Sequence, residues 1–319
     1  MLELRGISVH YGQGKGNVKA VDDVSLTLPV GGTFGLVGES GSGKSSVARG
    51  ILGLAPIVTG QVLLGGEDWT AAQSRNSSRY RQLVQMVFQD PYSTFSPRMR
   101  MGEVLADALA AGGVGKRNRE KESVRFLDIV GISSKALHQY PHEFSGGQRQ
   151  RIAIARALCV QPKVLVLDEV TSALDVSVQA VILNLLNDLQ RQYGFSMLFI
   201  SHDLDVVSMI SDVVGVMYMG RIVESAPNVP LFSSPCHPYT RALMASIPTF
   251  GGEMTGAILE GELPDPNNPP QGCRFNTRCP SGPLFNEGRT ICLEQDPQMR
   301  AAERQNHAAC HFVELAHPG

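Results

Sequence analysis

Three stretches of this chain place reactive residue types at spacings that could do chemistry. Residues 38 to 45 read Gly38-Glu39-Ser40-Gly41-Ser42-Gly43-Lys44-Ser45. A glycine, four residues, then Gly-Lys-Ser is the pattern of a phosphate-binding loop. The glycines let backbone N–H groups point inward at phosphates, Lys44 sets a positive charge by the β and γ oxygens, and Ser45 offers a hydroxyl to Mg²⁺. The second stretch, Val166 to Glu169, is an apolar run closing on two carboxylates. Asp168, at the strand end, can hold the Mg²⁺ shell through water. Glu169 faces the other way and can polarise a water for in-line attack on a γ-phosphate. The third, Ser145-Gly146-Gly147-Gln148, opens a helix with small residues and so offers N–H groups and a helix dipole to an anion. The chain already holds one complete phosphate loop, so a second such element makes sense if it serves the nucleotide of another subunit. Tyr11, just after a strand, could stack on adenine.

A further cluster sits near the end. Of six cysteines, Cys159 and Cys236 stand alone, whereas Cys273, Cys279, Cys292 and Cys310 are separated by five, twelve and seventeen residues. Clustered cysteines in a cytosolic chain more often mean metal than disulfide. Thiolates so spaced can close a four-sulfur site around Zn²⁺ or a 4Fe–4S cluster. Neither the short Cys-x-x-Cys zinc pattern nor the bacterial ferredoxin run is present. His307 and His311 flank Cys310 as rival ligands, and ordinary packing cysteines are the plainer alternative.

The elements that must position these residues follow from periodicity. Leu2, Leu4, Ile7 and Val9 suggest an edge strand, and Val24, Leu26 and Leu28 alternate likewise. Thr33 to Val37 is a short apolar strand feeding the glycine loop, and Ser45 to Leu54 reads as the helix after it, stopped by Pro56. Leu83 to Phe88 is a buried strand ending at Gln89. From Asp90 to Phe144 no strand is evident; helical stretches at Met101 to Ala111 and Glu120 to Val130 flank a turn at Gly112 to Gly115. Ser145 caps a helix running to about Val160. Val164 to Leu167 is a continuous apolar strand of the parallel kind. Val178, Val181, Ile182, Leu185, Leu186 and Leu189 form a helical stripe closed by Gly194, and Met197 to Ile200 is another buried strand. Strands alternating with helices imply a mostly parallel α/β sheet. Prolines at 227, 230, 235, 238 and 248 then break the chain, and a domain boundary is expected near residue 230.

Composition bounds the function. The 319 residues, 43% hydrophobic, suit one large domain with an appendage. A net charge of −2 gives no electrostatic case for nucleic acid. The longest apolar runs fall far short of the roughly 20 residues that span a bilayer. Met1-Leu2-Glu3-Leu4-Arg5 has no basic region followed by a long apolar one, so a cytoplasmic chain is expected.

The loop, the strand ending Asp168-Glu169 and the Ser145-Gly146-Gly147-Gln148-Arg149 run together resemble the ATP-binding cassette family, the motor subunits of ABC transporters. The resemblance implies an α/β fold: a P-loop ABC-type nucleotide-binding domain over 1–230, an inserted helical subdomain over about 90–160, and a small Cys-rich C-terminal region over 231–319. It makes His202 the switch histidine on the γ-phosphate and Gln89 the glutamine that senses Mg²⁺ and water. Ser145 to Gln148 would bind the nucleotide of a second cassette, sibling or self. Ser172-Ala173-Leu174-Asp175 matches the segment crossing between the two sites. Val170 stands where the family usually has proline. Soluble ABC proteins carry two cassettes or a long coiled coil, and this chain has neither; a purely regulatory cassette is at odds with Glu169 and His202. Phe88-Gln89-Asp90-Pro91-Tyr92-Ser93, Ser96-Pro97-Arg98, His237 to Leu243 and Asn268 to Phe275 are similar to the peptide and nickel importer branch. That branch implies ATP hydrolysis with Mg²⁺, two transmembrane permease subunits, an extracytoplasmic solute-binding protein and a peripheral place on the cytoplasmic face of the membrane. It also implies a C-terminal iron–sulfur cluster on the four cysteines, although the gap between Cys279 and Cys292 is long for the branch.

Overall fold

Strand β1 (Leu2–Tyr11) buries Leu2, Leu4, Ile7 and Val9, the residues of the sequence pattern. It pairs antiparallel with β2 (Val18–Thr27) and also with β4 (Ile57–Leu64), so it is interior where the pattern predicted an edge. Alternation reports one buried face; it says nothing of how many neighbours share the backbone hydrogen bonds. The structure, a computed structural model, describes residues 1–12, 18–71, 75, 77–90, 94–245 and 263–313. Pro91, Tyr92, Ser93 and Pro248 lie outside the described residues.

Between β2 and β4 come β3 (Thr33–Val37), buried along its whole length, and α1 (Lys44–Ile51). The chain continues through β5 (Glu67–Asp68), α2 (Ser78–Leu83) and β6 (Val84–Val87). Three helices follow: α3 (Met101–Ala111), α4 (Arg119–Ile129) and α5 (Gly146–Leu158). Next are β7 (Val164–Asp168), α6 (Val176–Tyr193), β8 (Ser196–Ser201), α7 (Leu204–Ile210), β9 (Val213–Tyr218) and β10 (Arg221–Pro227). The last part carries α8 (Asn228–Ser233), α9 (Pro238–Ala245), α10 (Ile291–Glu294) and the short strands β11 (Arg300–Ala301) and β12 (His307–Ala308).

The chain divides into two compact units. One comprises Met1, Leu28–Thr33 and Ala71–Ile200. Within it β6, β7 and β8 run parallel, with Val84 opposite Val164 and Leu165 opposite Met197. Every residue of β7 and β8 is buried, which is why those strands read as unbroken apolar runs. Helices α3, α4 and α5 pack on one another, and their Leu105, Leu109, Phe126, Leu127 and Ile152 are buried. On α6 the buried stripe is Ile182, Leu183, Leu186 and Leu189; Val181, expected on it, is 45% exposed. Gly194 ends that helix with φ 69, as predicted.

The other unit comprises Leu2–Thr27, Phe34–Thr70 and Ser201–Gly319. It holds the antiparallel sheet β2-β1-β4-β5. It also pairs β3 parallel to β9, with β10 antiparallel to β9 and β12 antiparallel to β10. Thus β11 and β12, two short strands from the last twenty residues, extend the sheet beyond β10. Met219 and Gly220, both at positive φ, make the two-residue turn from β9 to β10.

Candidate functional site

The glycine loop joins β3 to α1, as the sequence required. Two of its glycines have no substitute. Gly38 has φ 152, and a Cβ there would lie 2.1 Å from the Met217 carbonyl oxygen. Gly43, at φ 107, would put one 2.2 Å from the Ala20 carbonyl. Lys44 is 4% exposed and donates from Nζ to the carbonyls of Gly38 (2.7 Å) and Glu39 (2.9 Å) and to Ser42 Oγ (3.3 Å). The loop therefore curls around its own lysine. Gly43 is the N-cap of α1 with no side-chain cap, and the first turn, which includes Ser45, holds no acidic residue. A positive dipole end with no carboxylate in its first turn suits an anion. Ser40 and Gly41 form the exposed crown.

The carboxylate strand behaves as its sequence implied. Asp168 closes β7 and is 7% exposed. Glu169 follows with φ 48, a left-handed backbone that is uncommon for a side-chain-bearing residue and costs about 1–3 kcal/mol. Its N–H donates to the Ile200 carbonyl (2.9 Å), and its own carbonyl accepts from Ser172 Oγ (2.9 Å). Gln89 Nε2 donates to Glu169 Oε2 at 3.0 Å. Two residues eighty positions apart are thus brought together because β6 and β7 are parallel neighbours.

Ser145 and Gln148 form a reciprocal capping box on α5. Ser145 Oγ accepts from the Gln148 N–H (3.4 Å) and Gln148 Oε1 accepts from the Ser145 N–H (3.0 Å). Gly147 is fixed by packing, since a Cβ would come 2.7 Å from Val178 Cγ1; Gly146 has more room. Asp175 caps α6 through the Val178 N–H at 2.9 Å. Tyr11 ends β1, half-buried, and its hydroxyl has no hydrogen-bond partner among the described residues. His202 is exposed, directly after β8.

Comparison with known proteins decides what these parts belong to. Residues 21–172 match the ABC transporter family, and residues 223–283 match the oligopeptide/dipeptide transporter C-terminal region. A peptide import ATP-binding protein of Brucella ovis is 44% identical over 313 residues, 97% of each chain. An oligopeptide transport ATP-binding protein of Bacillus subtilis is 42% identical over 323 residues, 99% of this chain and 96% of that one. The chain belongs to the ATP-binding subunits of ABC transporters. A dimeric ATP-binding cassette in a post-hydrolysis state bound to ADP and Pi is 25% identical, with a TM-score of 0.65 over 72% of this chain and 99% of that one. A Clostridium perfringens subunit of an ABC transporter complex gives a TM-score of 0.63 at 25% identity, over 73% of this chain and 90% of that one. The protein is an ATPase, and no described helix is long and apolar enough to cross a membrane.

The tail of this ABC ATPase was the least legible part. Cys273, Cys279, Cys292 and Cys310 are free thiols. Burial, then the nearness of the other three, pushes Cys273 up to about 12, and burial, then Cys310 and Cys292, pushes Cys279 up to about 11. The four therefore lie within electrostatic reach of one another. Reach is not coordination: among the described residues no three His, Cys, Asp or Glu side chains are arranged to hold a metal ion. The preformed four-sulfur site expected from the sequence, iron–sulfur or zinc, is not found. Spacing along the chain counts residues between cysteines; how the tail folds sets where their side chains end up. His311 donates Nε2–H to the Gln295 carbonyl (2.8 Å), and His307 lies exposed on β12.

Sequence reasoning missed what the tail does to the phosphate loop. Phe275 is buried among the rings of Tyr218 (centroids 5.2 Å), Tyr239 (5.3 Å) and His237 (5.9 Å). Tyr239 Oη accepts from the Glu39 N–H at 3.0 Å, and Arg278 grips the Glu39 carboxylate with both Nη atoms (2.8 and 3.0 Å). Arg274 donates to Asp22 and to the Met219 carbonyl, and Arg221 meets Asp22 at 3.0 Å. Tyr239, Arg274 and Phe275 stood inside motifs of the branch, yet nothing in their spacing says which partner they meet.

Proposed function

We propose that this ATPase is the motor of an importer of di- and oligopeptides. One observation carries hydrolysis: Glu169 follows β7 with its backbone held left-handed and its carboxylate bonded by Gln89. In this reading the phosphates lie on Gly38, Glu39, Ser40, Gly41, Ser42, Gly43, Lys44 and Ser45, and Tyr11 stacks on adenine. Ser45, Gln89 and Asp168 supply the oxygen donors that suit Mg²⁺, and the metal when bound neutralises charge on the β and γ oxygens. Glu169 takes the proton of a water whose oxygen bonds to the γ-phosphorus as the bond to the β–γ bridging oxygen breaks, giving ADP and phosphate. His202 contacts the γ-phosphate. Lys44 already spends its donors on loop oxygens, so it exchanges at least one for phosphate.

Ser145, Gly146, Gly147 and Gln148 serve the nucleotide of a second cassette, sibling or self. The cassette occupies 1–230, with a helical subdomain over about 90–160 passing motion to two transmembrane permease subunits. Residues 231–319 form the C-terminal region. The protein sits peripherally on the cytoplasmic face of the membrane, and an extracytoplasmic solute-binding protein delivers cargo. Peptide cargo rests on the names of the relatives and on the matched C-terminal region. Cys273, Cys279, Cys292 and Cys310 would hold a 4Fe–4S cluster, or Zn²⁺, each as a thiolate.

Vesicles reconstituted with the permease and cassette subunits that co-purify with this chain test the cargo. ATP-dependent uptake of a dipeptide or a tetrapeptide, absent with Lys44→Ala, is expected. Uptake of a nickel chelate or glutathione with no peptide uptake would move the cargo to those solutes.

A further inference from the structure

Every polar group of Glu39, the second residue of the phosphate loop, is engaged. Its N–H donates to Tyr239 Oη, its carbonyl accepts from Lys44 Nζ at 2.9 Å, and its carboxylate takes both arms of Arg278. The partners come from opposite ends of the chain: Lys44 from the loop itself, Tyr239 and Arg278 from the segment after residue 230. The Arg278 side chain is 5% exposed and that of Glu39 is 26% exposed, so water screens the pair little on the arginine side. A fork of two parallel charge-assisted bonds fixes direction as well as distance. Arg278 is itself held, with its guanidinium 5.9 Å above the Tyr218 ring. Four residues earlier Arg274 grips Asp22 and the Met219 carbonyl. The neighbouring Gly220 N–H donates to the Ser42 carbonyl at 2.8 Å, which stitches the far side of the loop to the same hairpin. Phe275, between the two arginines, anchors the turn in its ring box.

A carboxylate in a loop built to hold a triphosphate is out of place unless something neutralises it. We propose that Arg278 is a positioning residue for the phosphate loop: by holding and neutralising Glu39 it sets the affinity for ATP, so the C-terminal region helps tune the nucleotide site. The inference rests on the ATPase reading above. It predicts a suppressor relation that a merely structural arginine would not give. Without Arg278, Glu39 becomes an unpaired negative charge beside the phosphates; removing that charge as well should restore binding.

Equilibrium binding of a fluorescent ATP analogue with Mg²⁺ to the full chain tests this. Arg278→Ala should weaken binding at least about fivefold, the lower end of ordinary coupling between sites. Arg278→Lys keeps a charge but loses the fork, and should fall between Arg278→Ala and the wild type. Arg278→Ala combined with Glu39→Gln should regain most of the loss. If Arg278→Ala does not fold, the same pairing made with Arg278→Lys gives the answer. Wild-type affinity in Arg278→Ala, or a loss that Glu39→Gln leaves untouched, would overturn the proposal. A wild-type chain that binds no nucleotide would overturn the ATPase reading together with it.

Discussion

At the scale of single residues, Glu169 combines a backbone strained to φ 48 with a side chain tied to Gln89 at 3.0 Å. Strain of that kind persists only where surrounding structure enforces it, and here the Ile200 and Ser172 hydrogen bonds do so. Glu169→Gln keeps the shape and removes the base. Turnover should fall by ~10²–10⁴-fold while ATP still binds, because the phosphate loop is untouched. Steady-state ATPase assays beside nucleotide binding check this, and near-normal turnover in the assembled transporter would remove the role. Gly43→Ala should do the reverse. Its Cβ would meet the Ala20 carbonyl, backbone that cannot swing aside, so binding should fail before chemistry is reached.

At the scale of elements, helix α5 shows how a cap and a functional surface share residues. The Ser145–Gln148 box satisfies two backbone N–H groups at the helix start, so Ser145→Ala should cost about 1 kcal/mol of stability. Under the two-cassette reading it should cost far more activity than that. A chain dead at Lys44 mixed with one dead at Ser145 should recover part of the ATPase rate if the cassette pairs with itself, since one composite site keeps both good halves. No recovery in a demonstrated homodimer would count against the shared site. The tail turn makes a packing counterpart. Phe275 is 1% exposed and meets three rings. Phe275→Ala should destabilise by about 3–5 kcal/mol, read by denaturant unfolding, and release the Arg274 and Arg278 contacts with it.

At the scale of the molecule, burial at the join of β10, α9 and the tail makes the protein acid-sensitive. His237 is fully enclosed, and burial holds its imidazole neutral, down at about 3. The unfolded chain titrates near ~6.5, so between the two values the unfolded state carries an extra proton. Stability is therefore complete above about 6.5 and falls with pH below it, at up to about 1.4 kcal/mol per pH unit. Glu224 opposes this: burial raises its carboxyl, so the folded state protonates first and gains as pH falls through the upper carboxylate range. Comparing unfolding free energies at pH 7 and pH 5 isolates the histidine, because His237→Asn should flatten the dependence. An unchanged slope in the variant would remove His237 as its source. Anaerobic purification with iron and zinc analysis tests the thiols in the same way: about four irons are expected by the cluster's stoichiometry, and Cys279→Ser should lose them. One zinc without iron would point to the alternative, and no metal would leave ordinary packing cysteines.

The sequence by itself determined the local chemistry and most elements. Gly38 to Ser45 could only be a tight loop between a strand and a helix, because the glycine pattern, the apolar run before it and the helical run after it agree. The buried strands around Val164 to Asp168 and Ser196 to Ser201, and the capped helix after Ser145, were legible for the same reason: each depends on neighbours within a few residues. What only the tertiary structure decided was who meets whom at long range. Alternation in β1 could not reveal its second neighbour, since periodicity encodes a face and not an edge. Cysteine spacing could not say whether four thiols converge, since the path of the tail between them governs that. No spacing rule links Glu39 to Arg278, 239 residues on; that pair exists because a strand, an aromatic box and a turn fold the tail back onto the loop.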